Sequence, residues 1–430
     1  MEELLERVRD SQSLERALAS GARSIEIDGP ISGLGAVVLP RGVSLRGAGN
    51  EAALRFRAGE QGIRLNGDHI ISGLRIHTDA DQEAVCLTDS QSDLGTIELR
   101  DLGIEGRLHL EAESAKSGNL VLSNIHIASA DARGAPNRPP GFGVEVLAGA
   151  ITIYNRSPDA ASRWNVRATG LSAGNKVKPV RGSGVFIFGG ATIPDGVDPS
   201  TAPSPTKNGG SIALAELTTG DVHSDGGIAK GTPDRITGGV FIGAGVEADL
   251  VANEGGVSTY GVNDMVLDNW GTVRLWVAEG SLTSYGDSGI GFVNFADIDA
   301  LIVRGPVETH GGGARGYNLY DGSLKHAEFE SITTTGEGSI GVQLSKPFGR
   351  LIVHGDIRTK GGEGPSLVRG KVITLKAHAL SLKPGVQGDA IFVLGKAVAE
   401  NPDISDFEFA APASSIDLLM VDGKRVSDPS

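Results

Sequence analysis

Written in rows of 25 residues, the segment from Gly255 to Phe392 lines up its apolar side chains in three columns. Val257, Leu282, Val307, Ile332, Ile357 and Leu382 form the first. Leu267, Phe292, Tyr317, Val342, Leu367 and Phe392 form the second, and Val277, Ile302, Ala327, Ile352 and Ala377 the third. Around each column apolar and polar residues tend to alternate, as strands with one buried face require. Three columns per row therefore predict three short strands per row. Gly255, Gly280, Gly305 and Gly355 punctuate the rows, with Glu330 standing in that place once.

A second glycine column, Gly261, Gly286, Gly311, Gly336 and Gly361, follows by two residues a hydroxyl column of Thr259, Ser284, Thr309, Thr334 and Thr359. These glycines are expected to supply positive φ or a close approach of backbones. The hydroxyls are expected to hydrogen-bond from one row to the next. In the last row Pro384 and Gly385 replace the arrangement, which reads as the end of the regular stack.

A chain that lays down three strands and returns to the same lateral position is a solenoid, its coils about 4.8 Å apart. No coil buries its inner face alone, so like residues recur at like positions. The strands pair in parallel, and the terminal coils leave edges that need cover. In residues 1–22 the spacing of Leu4, Leu5, Val8, Leu14, Ala17 and Leu18 predicts a helical cap. Residues 401–430 carry "SIDLLMVDGKRVSD", a strand and an Asp-Gly turn that predict the opposite cap. Between them, residues 23–400 are the coils, with loop insertions near 130–145, 190–210 and 226–238 marked by Pro, Gly, Ser and Asn. Such insertions are expected to build a wall beside the stack, often the binding side of a solenoid.

Composition agrees with one long repetitive domain. Glycine supplies 63 of 430 residues, about double its usual share, and no G-X-Y period points to collagen. The net charge of −14 argues against a general nucleic-acid or anionic-membrane binder. One cysteine, Cys86, excludes an intramolecular disulfide framework. The acidic start lacks the features of a secretory signal, and no run reaches the length of a membrane span, so a cytoplasmic location is expected.

The first half is less regular but repeats a phrase: "ISGLRI" at 71–76, "LRDLGI" at 99–104 and "LSNIHI" at 122–127. Its third residue is Gly73, Asp101 or Asn124, the types that best tolerate a left-handed turn. With "RSIEIDGPISGLGAVVLPRGVSLRGAGNEAALRF" at 23–56, this pattern resembles the opening coils of the pectin-lyase-like right-handed parallel β-helix superfamily. The resemblance is one of scaffold and covers most of the chain as a pattern of coils. It implies an all-β, right-handed parallel β-helix of three-strand coils and a carbohydrate ligand. The superfamily's pectate lyases use a basic residue as general base, often with calcium held by acidic residues; its polygalacturonases use clustered aspartates. The polygalacturonase signatures "NTD", "GHG" and "RIK" and the paired "DD" are absent here, so no catalytic residue carries over.

The candidate chemistry comes from the ruler. Trp270, Phe295 and Tyr320 fall at one lateral position on consecutive coils, a stripe suited to sugar faces or, on the plainer reading, to cover by a loop or a second subunit. Beside it lie Asp268, Asn318 and Asp321, with Arg315 near, and Asp297 sits one coil from Asp321. Asp268, Asp297 and Asp321 are thus the candidate catalytic carboxylates, against the plainer reading of turn aspartates. Trp270, Phe295, Arg315, Asn318 and Tyr320 are the candidate substrate contacts.

Two weaker clusters are His77, Asp79 and Asp81, a cation or acid-base set or a solvated corner, and the basic group Tyr154, Arg156, Arg163, Trp164, Arg167, Lys176, Lys178 and Arg181. No motif calls for a cofactor, and calcium enters only as an option. The expectation is a carbohydrate-active protein of hydrolase, lyase, epimerase or transferase type with a groove along the helix, whether or not it proves to be an enzyme. The alternatives are a non-catalytic glycan-binding or trimeric structural β-helix, oligomeric in that case, and an intracellular enzyme on a small non-sugar metabolite.

Overall fold

A computed structural model describes residues 5–190, 209–368, 371–410 and 415–426. They form long sheets of 23 and 15 strands, and every pairing between successive coils among the described residues is parallel. Antiparallel pairing is confined to local hairpins: Pro140–Gly141 with Val144–Val146, Glu363–Val368 with Lys371–Lys376, and Ser415–Val421 with Lys424–Arg425. The chain is a parallel β solenoid.

Two of the three apolar columns stack where the 25-residue spacing puts them. Val257, Leu282, Val307, Ile332 and Ile357 pair in succession in the larger sheet. Leu267, Phe292, Tyr317 and Val342 do so in the smaller one, and all nine are buried. The rings of Phe292 and Tyr317 lie 6.1 Å apart.

The third column slips. Val277 pairs with Ile302, but Ile302 then faces Glu328 while Ala327 faces Leu301. Because faces alternate, one extra residue exchanges inside for outside. The inward ladder is therefore Trp276, Leu301, Ala327 and Leu351, all buried, while Val277, Ile302 and Ile352 are outward and half-buried.

The last rows also depart from the ruler. The strands Glu363–Val368 and Lys371–Lys376 leave the stack and pair with each other as a hairpin, so Val342 pairs with Leu380. Leu367 belongs to that hairpin, Leu382 pairs with Leu344 in the smaller sheet, and Phe392 pairs with Ile352 in the larger. Buried Ala377 lies just past the hairpin rather than on a coil strand.

The glycine column is explained by crowding. A Cβ on Gly286, Gly311, Gly336 or Gly361 would lie within 2.0 Å of the carbonyl oxygen of the glycine one coil earlier. Close backbone approach, and not positive φ, selects glycine there. The hydroxyl column stacks in register but does not bond from coil to coil. Thr334 donates instead to the Ser339 carbonyl of its own turn, 2.8 Å away, and the Ser284 and Thr309 hydroxyls meet no partner.

At the amino end the helix Ser11–Ser20 is opened by Asp10, whose carboxylate accepts the Ser13 N–H at 2.7 Å, and closed by Gly21 at φ 82°. Leu14 and Ala17 pack into the core. The helix begins later than its apolar spacing implies: Leu5–Val8 is a strand paired in parallel with Ser24–Ile27, because Val8 extends the inner ladder by one coil. Leu4 lies outside the described residues. At the other end Asp422 and Gly423, at φ 50° and 70°, make the expected hairpin turn.

Gly73, Asp101 and Asn124 all adopt the left-handed conformation, with φ of 65°, 55° and 52°. The insertion near 130–145 folds against the smaller sheet, where Val146 pairs with Ile236. That near 226–238 ends early, because Arg235–Ile242 is a strand. Within the 190–210 insertion, residues 191–208 lie outside the described residues.

Candidate functional site

The smaller sheet turns one face to the core and the other toward the 130–145 insertion. On that outer face, register aligns Phe186, Phe241, Asp268, Val293, Asn318, Gln343 and Ser381 on consecutive coils. Two residues further along lie Trp270, Phe295 and Tyr320, with ring centroids 5.7 Å and 4.9 Å apart. The stripe therefore exists at the lateral position the sequence gives it.

It is covered, however. Phe142 places its ring 5.0 Å from Trp270 and 4.4 Å from Phe295, and Trp270 retains only 4% exposure. Trp270 also packs edge-on to Phe188 and Phe241, making the stripe part of a second hydrophobic cluster. Phe142 holds φ 52°, a costly conformation for an aromatic residue, which this packing sustains.

Behind this lid is a cavity of about 50 Å³ lined by Phe142, Val144, Ile236, Met265, Asp268, Ile290, Phe295, Arg315, Asn318, Tyr320, Leu367 and Val368. Five of the eight predicted site residues thus share one cavity. Asp268 is fully buried, and neither carboxyl oxygen has a hydrogen-bond partner. Burial pushes its carboxyl well above the usual carboxylate range, with the Trp270 indole opposing the shift.

Arg315, 1% exposed, donates from Nη1 to the Gly313 carbonyl at 3.3 Å and to Ser366 Oγ at 3.0 Å, and from Nε to Gln343 Oε1 at 3.3 Å. Its Nη2 has no partner, nor has Asn318 Nδ2. Burial pushes the guanidinium down to about 10. Gln343, which also donates to Asn318 Oδ1 at 3.3 Å, was not anticipated. It stands one row after Asn318, where the ruler points. Phe142, Ser366, Leu367 and Val368 come from an insertion and a hairpin that no periodicity locates.

Asp297 and Asp321 lie apart from this cavity. Asp297 is exposed and accepts from Ser323 Oγ at 2.7 Å; Asp321 pairs with Lys346 at 3.0 Å. Asp297 instead lines an open concavity of about 290 Å³ with Phe142, Arg163, Ser211, Glu247, Trp270, Thr272 and Phe295. A wider concavity of about 600 Å³, on the outer face of the larger sheet, shares Arg163, Glu247 and Thr272 with it and adds Asn119, Asn165, Arg167, Asp249, Arg274 and Asp299.

Register explains the hollow. Asn119, Asn165, Ala213, Glu247 and Thr272 stand on successive coils, and the bulge at Ala215 puts a second alanine beside the first. Small side chains thus lie between long ones. Arg163 reaches across the intervening strand to Glu247 at 3.1 Å, with both side chains at least half exposed, so the pair is a weak bar between the two concavities.

The two weaker clusters do not assemble as wholes. His77 faces Glu105 at 3.3 Å, and Asp79 accepts the Gly59 N–H at 2.7 Å, the contacts of a coil corner. The basic group divides: Arg163 and Arg167 stay together on the wider concavity, but Trp164 is in the core, Tyr154 joins the aromatic cluster, and Arg156 and Arg181 pair with Glu111 and Asp225 elsewhere. A group the sequence did not flag lies on the outer face of earlier coils. His109 contacts Glu111 at 3.0 Å, and Arg107 contacts Glu83 at 3.4 Å. Among the described residues no set of three or more His, Cys, Asp or Glu side chains is arranged to hold a metal ion, and no helix is long and apolar enough to cross a membrane. Comparison with protein-family models, curated proteins and solved structures finds no match for this chain.

Proposed function

We propose that the chain is a carbohydrate-active protein that holds an oligosaccharide in the groove running from Asp297 across Glu247 to Asn119. The observation that carries this reading is that two neighbouring concavities share Arg163, Glu247 and Thr272 and are lined by carboxylates, guanidines and amides. Such a lining offers paired donors and acceptors to the hydroxyls of a polyol. The covered aromatic stripe gives the sugar no open stacking face. It contributes only the ring edges of Trp270 and Phe295 at one end of the groove.

In this reading Glu247 and Asp297 are the carboxylates available for acid-base chemistry, because both line the same open concavity. Asp268 and Asp321 stand outside it. The coils are right-handed, the hand that parallel strand connections adopt almost without exception. The helix Ser11–Ser20 closes the first coil, in keeping with the pectin-lyase-like scaffold.

The test is a panel of neutral and acidic oligosaccharides, scored for binding, released reducing ends and absorbance of unsaturated uronates. Glu247→Gln and Asp297→Asn are expected to abolish turnover with the circular dichroism spectrum unchanged. Full turnover in both variants would refute the assignment of the carboxylates. Binding without turnover would favour the non-catalytic glycan-binding alternative.

A further inference from the structure

Arg315 is a cation in the wrong place for a purely structural residue. It is 1% exposed, and its hydrogen-bond partners, the Gly313 carbonyl, Ser366 Oγ and Gln343 Oε1, are all neutral. Removing a charge from water without an opposite charge is among the most expensive arrangements in a protein interior. The carboxyl on the same cavity, Asp268, makes no ion pair with it, and the Trp270 indole that approaches its oxygens completes no hydrogen bond in good geometry. Three buried polar groups, the Arg315 guanidinium, the Asn318 amide and the Asp268 carboxyl, therefore carry unpartnered hydrogen-bonding atoms on residues that line one small space. The guanidinium and the amide can only donate there, and a protonated carboxyl donates as well.

From this geometry we infer that the cavity between the smaller sheet and the Glu363–Val368 hairpin is a binding site for a small monocarboxylate of the acetate or propionate class. The carboxylate accepts from Arg315 Nη2 and Asn318 Nδ2 and supplies the missing negative charge. Asp268, protonated, donates to it as one carboxylic acid does to another carboxylate. The remaining walls, including Val144, Ile236 and Ile290, are apolar and suit a methyl or ethyl group. Size favours a small ligand: a cavity of about 50 Å³ is on the scale of acetate. This inference is independent of the groove.

The experiment is calorimetric titration and thermal denaturation of the whole chain with sodium acetate, propionate and glucuronate, against sodium chloride at equal ionic strength. Acetate and propionate are expected to bind one per chain and raise the melting temperature, and glucuronate to behave like chloride. Arg315→Met removes the buried charge while keeping the length of the side chain, and Leu367→Trp fills the cavity from the hairpin. Each is expected to weaken propionate binding at least tenfold. Arg315→Met is also expected to match or exceed the stability of the ligand-free wild type, whereas a merely structural arginine would leave the variant less stable. Glu247→Gln is expected to bind propionate as the wild type does. Equal responses to propionate and chloride, unchanged affinity in Leu367→Trp, or tighter binding of glucuronate than of propionate would each overturn the assignment.

Discussion

Replacing Gly311 and its neighbour Gly312 by alanine separates stacking from ordinary turn chemistry. A Cβ on Gly311 would sit 1.9 Å from the carbonyl oxygen and 2.2 Å from the carbonyl carbon of Gly286, one coil below. Both contacts are to backbone, so no side chain can swing aside. Relief requires the coils to part locally, against the hydrogen bonds that hold them. A Cβ on Gly312 meets Asp287 Oδ1 at 3.5 Å and the Glu337 carbonyl oxygen at 3.7 Å, ordinary contact distances. Neither glycine has positive φ, so backbone strain does not distinguish the two sites.

Overpacking of this kind costs about 1–3 kcal/mol where neighbours yield, which places Gly311→Ala at or above about 3 kcal/mol. Gly312→Ala is expected within about 1 kcal/mol of the wild type, on the stabilising side because alanine restricts the unfolded chain. Urea unfolding gives the two differences. Hydrogen exchange locates the Gly311→Ala effect, which in a stack of nearest-neighbour contacts falls on the adjoining coils. Equal destabilisation by both substitutions, or none by either, would refute the reasoning.

Two further outcomes follow from the covered cavity. An aspartate in the unfolded chain ionises near pH 4, whereas burial keeps Asp268 protonated in the fold well above that. The folded state therefore binds the extra proton, and the stability this group contributes is complete below about pH 4 and is lost as pH rises through the folded pKa. Asp268→Asn removes the dependence: its stability relative to wild type is expected to increase as pH rises above 4, and a gap that stays constant would contradict it. Phe142→Ala uncovers the rings it touches at 5.0 Å and 4.4 Å and is expected to cost about 1 kcal/mol, in line with a half-buried ring. Because Trp164 and Trp276 are fully buried in the core, the accompanying rise in acrylamide quenching reports Trp270; unchanged quenching would show that Phe142 is not its lid.

The repeat was legible because stacking imposes identity at a fixed interval. Columns such as Val257 to Ile357 and Leu267 to Val342 face the same neighbours on every coil, and the spacing alone identified them. The third column failed because alternation tolerates no drift. One added residue between Leu319 and Ser323 reversed the register until the bulge between Val303 and Pro306 restored it, and hydrophobicity could not separate outward Ile302 from inward Leu301. The site divided in the same way. Asp268, Phe295, Arg315, Asn318 and Tyr320 were found because they share coil positions. Their lid was legible only in part: composition marked the 130–145 insertion that carries Phe142, but the hairpin of Glu363–Val368 with Lys371–Lys376 reads as a regular coil, since additions obey no period. Asp297 and Asp321 looked like a pair because 24 residues separate them; what a side chain meets beyond the coil corner is set by neighbours such as Ser323 and Lys346.

Trp270 is the indole that borders the groove, and its fluorescence gives the most direct test of a ligand lying there. Titration of the wild type with an oligosaccharide that binds is expected to change tryptophan emission saturably at one site per chain. In Trp270→Phe the same titration is expected to be optically silent, with affinity measured by calorimetry altered less than threefold. A spectral change that persists in Trp270→Phe, or tight binding that leaves the wild-type emission untouched, would place the ligand elsewhere on the solenoid.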